Sequence, residues 1–138
     1  MILVDTSAWV EYLRATGSPV HKEVRRLIES EADLATTDPV VMEVLAGARD
    51  EDHAKDLRRL LIRFHHLPVE GLTDYEDAAT VYRSCRVLGS TPRSLVDCLI
   101  AAVAIRENVG ILHQDRDYDT IAAHTQLRLH EPGADGAE

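Results

Sequence analysis

The chain has 138 residues, which is enough for one compact domain with a single hydrophobic core. A hydrophobic fraction of 45% excludes wholesale disorder, and no apolar run approaches the ~20 residues that a membrane-spanning helix requires. The formal net charge of −9 argues against binding a polyanion, unless a metal cation reverses the sign of an acidic pocket.

The first half of the chain alternates apolar strand patterns with helical spacing. The predicted elements are a strand over 2–4 that ends at Asp5, a helix over 7–13 capped by Ser7, a helix over 20–29 and a strand over 34–37. Asp38-Pro39 then predicts a helix start, with an acid as N-cap and proline in the first turn, and Gly47 ends this helix.

The second half continues the same alternation. The predicted elements are a charged helix over 50–64, a short strand over 65–69, a helix over 73–88, a strongly apolar helix from 91–94 to 107, and strands over 109–113 and 127–129. No helix is predicted between the last two strands. The two cysteines, Cys85 and Cys98, lie in apolar helical sequence and are predicted to be reduced core thiols.

Short apolar strands separated by helices favour a parallel sheet that is covered on both faces. The predicted fold class is therefore α/β, with one domain over 1–131. The small polar residues over 132–138 predict a disordered tail. Met1 is followed at once by Ile2-Leu3-Val4, without the features of a secretory signal, so a cytoplasmic protein is expected.

Four acidic residues stand out by their positions. Asp5 directly follows the first strand, and Asp115 lies two residues past the strand that ends at His113, so both are expected at one rim of the sheet. Glu43 and Asp97 lie in helices that are apolar on nearly every side. A carboxylate in such surroundings is costly unless it meets a cation or strong hydrogen-bond donors.

Each acid also has a purely structural explanation. These are a helix cap at Asp5, a helix-dipole acid at Asp97, an ion pair of Glu43 with Arg49 or Arg93, and a solvated loop at Asp115, Asp117 and Asp119. These separate explanations would all have to be true at once, at positions that face one rim of the sheet. A single acidic site explains the same positions with one assumption and is therefore favoured. A hard divalent cation relieves the repulsion in such a site, and oxygen-only ligands select Mg²⁺ or Mn²⁺ over Zn²⁺.

Four motifs, taken in order, resemble PIN-domain nucleases. They are Asp5-Thr6-Ser7-Ala8-Trp9 after the first strand, Glu43 followed by Gly47, Asp97 followed by Ile100-Ala101-Ala102, and Asp115-Arg116-Asp117-Tyr118 after a strand. Their order and the chain length are most similar to the VapC toxins of bacterial type II toxin–antitoxin systems. The resemblance covers residues 1–131, and one departure is Gln114, where the family often has Thr or Ser.

The resemblance implies a three-layer fold with a short central parallel sheet flanked by helices. It also implies a toxic endoribonuclease that hydrolyses RNA with a metal-activated water, forms a homodimer and is inhibited by a VapB-like antitoxin. The implied metal ligands are Asp5, Glu43, Asp97 and Asp115, with Asp117 assisting, and the metal is Mg²⁺ or Mn²⁺. Thr6 and Ser7 are the implied residues that orient ligands or phosphate.

Few residues near the predicted rim are suited to contact RNA. Arg93 and Arg116 are the nearest basic candidates for substrate binding. Of the six aromatic residues, just Trp9 and Tyr118 lie near the predicted rim, so RNA shape and a few arginines are expected to set the choice of sequence. Two alternatives remain open. A non-catalytic PIN-like interaction module would tolerate loss of the acids. An aspartyl-phosphate phosphatase or receiver would use Asp5 as nucleophile, but Ser7 stands where its second acid belongs.

Overall fold

Four short parallel strands form the centre of the protein, and helices connect them. The computed structural model describes residues 1–133, so the predicted tail beyond Gly133 lies outside the described residues. The strands are β1 (Ile2–Val4), β2 (Leu34–Thr37), β3 (His65–Leu67) and β4 (Gly110–Leu112). The helices are α1 (Thr6–Leu13), α2 (Pro19–Glu29), α3 (Asp38–Ala46), α4 (Glu51–Leu61), α5 (Gly71–Val87), α6 (Leu95–Glu107) and α7 (Arg116–His124).

The strand order is β3-β2-β1-β4, and every pairing is parallel. The first strand is therefore central, with Ile2 in register with Leu34 of β2 on one side and Gly110 of β4 on the other. All four residues of β2 are buried. Because successive side chains of a strand point to opposite faces, this burial requires cover on both faces of the sheet. The predicted α/β fold with a helix-flanked parallel sheet is confirmed.

The most apolar helix supplies much of the core. In α6, every residue from Asp97 to Ala104 is buried, which is why its hydrophobic residues occupy all sides rather than one stripe. Cys85 and Cys98 are both buried and free, as predicted. None of the helices in residues 1–133 combines the length and apolarity that a bilayer-spanning helix needs.

Several predicted helix ends are wrong by a few residues. The cap of α1 is Asp5, not Ser7, and the cap of α3 is Thr37, not Asp38. The Asp38 carboxylate is used elsewhere, since it accepts the backbone N–H of Val69 at 2.9 Å and lies 2.6 Å from His66 Nε2. The charged helix α4 ends at Leu61, three residues earlier than predicted.

The largest difference from the sequence prediction is helix α7. Its first turn carries Asp117 and Asp119, and this density of acids resembles a solvated loop. The same acids favour the positive end of a helix dipole, and Asp115 caps the helix by accepting the backbone N–H of Asp117. Tyr118 and Ile121, three residues apart, are buried and hold α7 against the core. The segment 127–129 forms only an isolated parallel bridge between Leu129 and Ile111.

Candidate active site

The predicted acids meet where the central strands end. Asp5 directly follows β1, and its backbone N–H donates to the carbonyl of Leu112 at the end of β4, at 3.0 Å. Asp115 lies between β4 and α7, while Glu43 and Asp97 come from helices α3 and α6. The carboxyl ends of parallel strands lie at one edge of the sheet, and this edge carries the acidic residues described below.

Asp5 is both a helix cap and a member of this group. Its side chain is almost fully buried at 2% exposure. One carboxylate oxygen, Oδ2, accepts the backbone N–H of Ser7 at 2.9 Å and the Ser7 hydroxyl at 2.6 Å. Ser7 is in turn fixed by the backbone N–H of Gln114, which donates to its Oγ at 2.9 Å. The structural explanation of Asp5 is thus correct, and it leaves Oδ1 turned toward the other acids.

Tyr118 connects Asp5 with Asp97. Its hydroxyl donates to Asp5 Oδ1 at 2.6 Å and lies 3.3 Å from Asp97 Oδ1. Burial, followed by the negative charges of Asp5 and Asp97, raises the pKa of Tyr118 well above its ordinary value, so the hydroxyl keeps its proton and donates. Tyr118 and Trp9 are both fully buried, so neither side chain is available for base stacking.

Asp97 is the acid with the least favourable surroundings. It is 6% exposed, one turn into α6, where the Ser94 side chain caps the helix. Burial, followed by the charges of Asp5 and Asp115, raises the pKa of Asp97 to about 8. A helix-dipole acid would have a stabilised charge. The structure therefore gives no support to a purely capping role for Asp97.

Glu43 is half-buried on α3 and accepts a hydrogen bond from the Thr6 hydroxyl at 2.7 Å. Burial raises the pKa of Glu43, and the charges of Asp5 and Asp115 raise it further. The proposed ion pair of Glu43 with Arg49 or Arg93 does not form within residues 1–133, because neither guanidinium contacts it. Glu43 thus faces other carboxylates and a hydroxyl donor.

Asp115 and Asp117 are not a solvated loop. Asp117 is 5% exposed, and its Oδ2 accepts the backbone N–H groups of Arg93 at 2.9 Å and Ser94 at 3.1 Å. The Arg93 guanidinium reaches both acids, with Nε 3.3 Å from Asp117 Oδ1 and Nη2 3.1 Å from Asp115 Oδ1. Asp119 is exposed, as the loop explanation requires.

The two arginines predicted near the site differ in their contacts. Arg93 forms ion pairs with Asp115 and Asp117 although its side chain is 65% exposed. Arg116 begins α7 and is exposed, and it makes no hydrogen bond or ion pair with another residue of the described range 1–133. Sequence patterns gave no signal for the Arg93 ion pairs, because they join residues 22 and 24 positions apart on different elements.

The donor set is suited to a hard divalent cation. One ligand atom each from Asp97, Asp115 and Asp117 lies within 4.8 Å of the others. Asp5 and Glu43 are close enough that Asp5 raises the pKa of both Glu43 and Asp97. These ligand atoms are carboxylate oxygens, which Mg²⁺ and Mn²⁺ prefer. A cation here would relieve the repulsion that raises these pKa values.

The sequence model of the PIN domain matches residues 2–124. The chain therefore belongs to the PIN-domain family. Ribonuclease VapC11 of Mycobacterium tuberculosis and VapC ribonuclease Mb1587 of Mycobacterium bovis are each 50% identical to it over 129 residues, which is 93% of this chain and 96% of each relative. Within the family, the chain thus belongs with the VapC ribonucleases. This membership excludes the aspartyl-phosphate alternative.

Solved structures show the same fold at lower sequence identity. The Mycobacterium tuberculosis toxin VapC20, described as cleaving the sarcin-ricin loop, is similar with a TM-score of 0.66 and 23% identity over 93% of this chain and 99% of that one. VapBC2 from Rickettsia felis, bound to a DNA fragment from its promoter, gives a TM-score of 0.73 and 16% identity over 94% and 98% of the two chains. These similarities confirm the three-layer PIN fold.

Proposed function

We propose that this protein is the endoribonuclease toxin of a toxin–antitoxin module, with Mg²⁺ or Mn²⁺ at the acidic edge of its sheet. The observation that carries the proposal is the meeting of Asp5, Glu43, Asp97 and Asp115 at that edge in a chain of the VapC family. The bound metal would activate water for attack on an RNA phosphodiester and neutralise the developing charge. Asp5, Glu43, Asp97 and Asp115 would hold it.

The neighbouring hydroxyl groups would set the positions of these ligands. Thr6 donates to Glu43, and Ser7 and Tyr118 donate to opposite oxygens of Asp5. Outer-shell donors of this kind fix the orientation of a ligating carboxylate and tune its basicity. Thr6 and Ser7 thus support the metal site through the carboxylates, which is consistent with the role that the family resemblance implies.

Asp117 would assist the site through its neighbours and not as a direct ligand of the metal. Its Oδ2 is occupied by two backbone N–H groups of the segment that leads into α6, and its Oδ1 by Arg93. These contacts hold the start of the helix that carries Asp97. We therefore propose that Asp117 positions Asp97 and Asp115, and that Arg93 balances the charge of this pair and borders the substrate path. Arg116, exposed beside them, remains a candidate phosphate contact.

The proposed partners follow from the relatives. The Rickettsia felis structure contains VapBC2 with promoter DNA, so the toxin there occurs together with its antitoxin. We propose a VapB-like antitoxin for this chain, a homodimeric toxin and a cytoplasmic location. An uninhibited ribonuclease is harmful to its own cell, so a tight inhibitor is expected.

The direct test is cleavage of RNA by the purified, antitoxin-free protein. We expect Mg²⁺ or Mn²⁺ to support cleavage of cellular RNA and EDTA to stop it, with activity restored when metal is added in excess of the chelator. Gel electrophoresis of the products measures both effects. Undiminished cleavage in excess chelator would contradict the metal mechanism, and no cleavage with any divalent metal would favour the non-catalytic interaction module.

A further inference from the structure

A cleft of about 370 Å³ lies directly beside the acidic site. It is bordered by the end of α1, the end of α3 and the first turns of α4, and Glu43 is part of its wall. Its volume lies within the range of small-molecule sites, which begins at about 300 Å³. Because Glu43 also belongs to the acidic site, a molecule in the cleft would adjoin a metal held there.

The cleft carries more positive than negative side chains, although the protein as a whole is acidic. Arg14 and Arg49 both line it, and both are exposed. Neither guanidinium has a hydrogen bond or ion pair within residues 1–133, whereas Arg25, Arg59 and Arg106 are all paired with carboxylates. Among the described residues that line the cleft, Glu43 is the only acid. Two available guanidinium groups therefore face a space that ends at the proposed metal site.

Apart from His53 and Gly47, the rest of the wall is formed by apolar side chains, and it is partly open to solvent. Val10, Leu13, Val44 and Leu57 line it, and Leu13 is 43% exposed. The backbone of Arg49 is held beside the start of α4, because its N–H donates to His53 Nδ1 at 3.0 Å. The cleft thus combines an apolar surface with two guanidinium groups, which bind phosphate and also stack on unpaired bases.

We infer that this cleft binds one nucleotide of the RNA next to the scissile phosphodiester. The base and ribose lie against the apolar wall, and Arg14 and Arg49 contact the flanking phosphates. This inference rests on the proposed ribonuclease activity and extends it, since it assigns RNA contacts to residues outside the acidic site. It also resolves how a chain of net charge −9 holds a polyanion: the metal and these two arginines supply local positive charge.

The test compares the double variant Arg14→Gln/Arg49→Gln with the unaltered protein. The probe is a fluorescein-labelled, single-stranded RNA of mixed sequence, and its binding is followed by fluorescence anisotropy in EDTA across a series of salt concentrations. If each arginine contacts one phosphate, the slope of log K against log salt falls by about 0.7 per arginine removed. With metal present, the KM for cleavage of the same RNA rises while kcat changes little.

The matched control is Arg58→Gln/Arg83→Gln, which has the same change in net charge. Both residues are exposed and neither lines the cleft. The control is expected to keep the RNA affinity and salt slope of the unaltered protein, and thermal melting verifies that both double variants fold.

Each failure has a separate signature. An unchanged salt slope and KM in Arg14→Gln/Arg49→Gln would overturn the inference and leave a protein segment as the occupant of the cleft. No measurable binding of the RNA by the unaltered protein in EDTA, together with no binding or cleavage of it on addition of Mg²⁺ or Mn²⁺, would overturn it as well. Binding that depends on the two arginines, without cleavage on addition of Mg²⁺ or Mn²⁺, would instead contradict the proposed ribonuclease activity and leave the nucleotide site standing.

Discussion

Glu23 on α2 and Asp97 on α6 are two carboxylates with nearly equal burial, at 3% and 6% exposure. Their pKa values move in opposite directions. Hydrogen bonds from Arg26 lower the pKa of Glu23 to about 2 against the cost of burial, with further hydrogen bonds from His130 and the Gly133 backbone. Burial and neighbouring carboxylates raise the pKa of Asp97 to about 8.

The difference between the two acids lies in their partners. Glu23 accepts both Arg26 Nε at 2.9 Å and Arg26 Nη2 at 2.7 Å, and its oxygens also contact His130 Nε2 at 2.5 Å. Its charge is satisfied within the protein, and the cluster ties α2 to the segment after the last bridge. Within residues 1–133, no comparable cation contacts Asp97. The charge of a buried acid with its own cation is compensated within the fold, whereas an acid that faces other acids is either protonated or compensated by a bound cation, which is the arrangement found at functional sites.

The largest expected effect is the loss of RNA cleavage in Asp97→Asn, which tests the contrast between the two acids. Asp97→Asn keeps the volume of the side chain but removes the charge that would hold the metal. We expect RNA cleavage to fall by more than the roughly 10–100-fold that loss of an outer-shell partner costs. Glu23→Gln is the matched control and is expected to cleave at the rate of the unaltered protein. A folded Asp97→Asn protein that cleaves RNA normally would contradict its assignment as a ligand.

Asp117→Asn is expected to have an intermediate effect. Asparagine retains an acceptor for the backbone N–H groups of Arg93 and Ser94 but loses the charge opposite the guanidinium. Cleavage is expected to fall by about 10–100-fold, while the rise in melting temperature on adding Mn²⁺ is retained. Loss of the melting response to Mn²⁺, together with a loss of cleavage as large as that expected for Asp97→Asn, would instead make Asp117 a metal ligand.

The smallest effect concerns the pH dependence of stability in chelator. The pKa of Glu23 falls from 4.5 to about 2 on folding. The contribution of Glu23 to the free energy of unfolding is therefore complete above pH 4.5 and is lost as pH falls toward 2. The pKa of Asp97 rises from 3.8 to about 8, so stability decreases as pH rises between these values. Melting curves measured across pH should show that Glu23→Gln reduces the loss of stability below pH 4.5. They should also show that Asp97→Asn reduces the loss of stability as pH rises from about 4 to 8. Parallel profiles for all three proteins would contradict the contrast.

Most of the elements, though not helix α7, were predictable from the sequence, and so was the placement of four acids at one edge of the sheet. Asp5 and Asp115 follow apolar strands, and Glu43 and Asp97 interrupt apolar helices, so local pattern was sufficient to select them. The predicted boundary at residue 131 remains a prediction, because the described residues continue to Gly133 and the family match ends at residue 124.

The remaining features depend on contacts between distant parts of the chain. The pair of His130 and Glu23 joins residues 107 positions apart, and the hydrogen bond from Tyr118 to Asp5 spans 113. No periodicity or spacing encodes such partners. Helix α7 was missed for a related reason, since its polar first turn becomes recognisable as a helix only when Tyr118 and Ile121 are seen to pack in the core.

The position of β1 in the middle of the sheet has a consequence for how the protein is made. Among the four strands of the sheet, β1 is synthesised first, and its neighbour β4 begins only at Gly110. Synthesis proceeds at about 5–20 residues per second, and domains generally fold as units. The second edge of β1 therefore stays unpaired until most of the chain has been made. Asp5 likewise meets Asp97 and Tyr118 only at that stage. An incomplete nascent chain is therefore without the assembled acidic site, and the acids come together only when nearly all of the central sheet has been made.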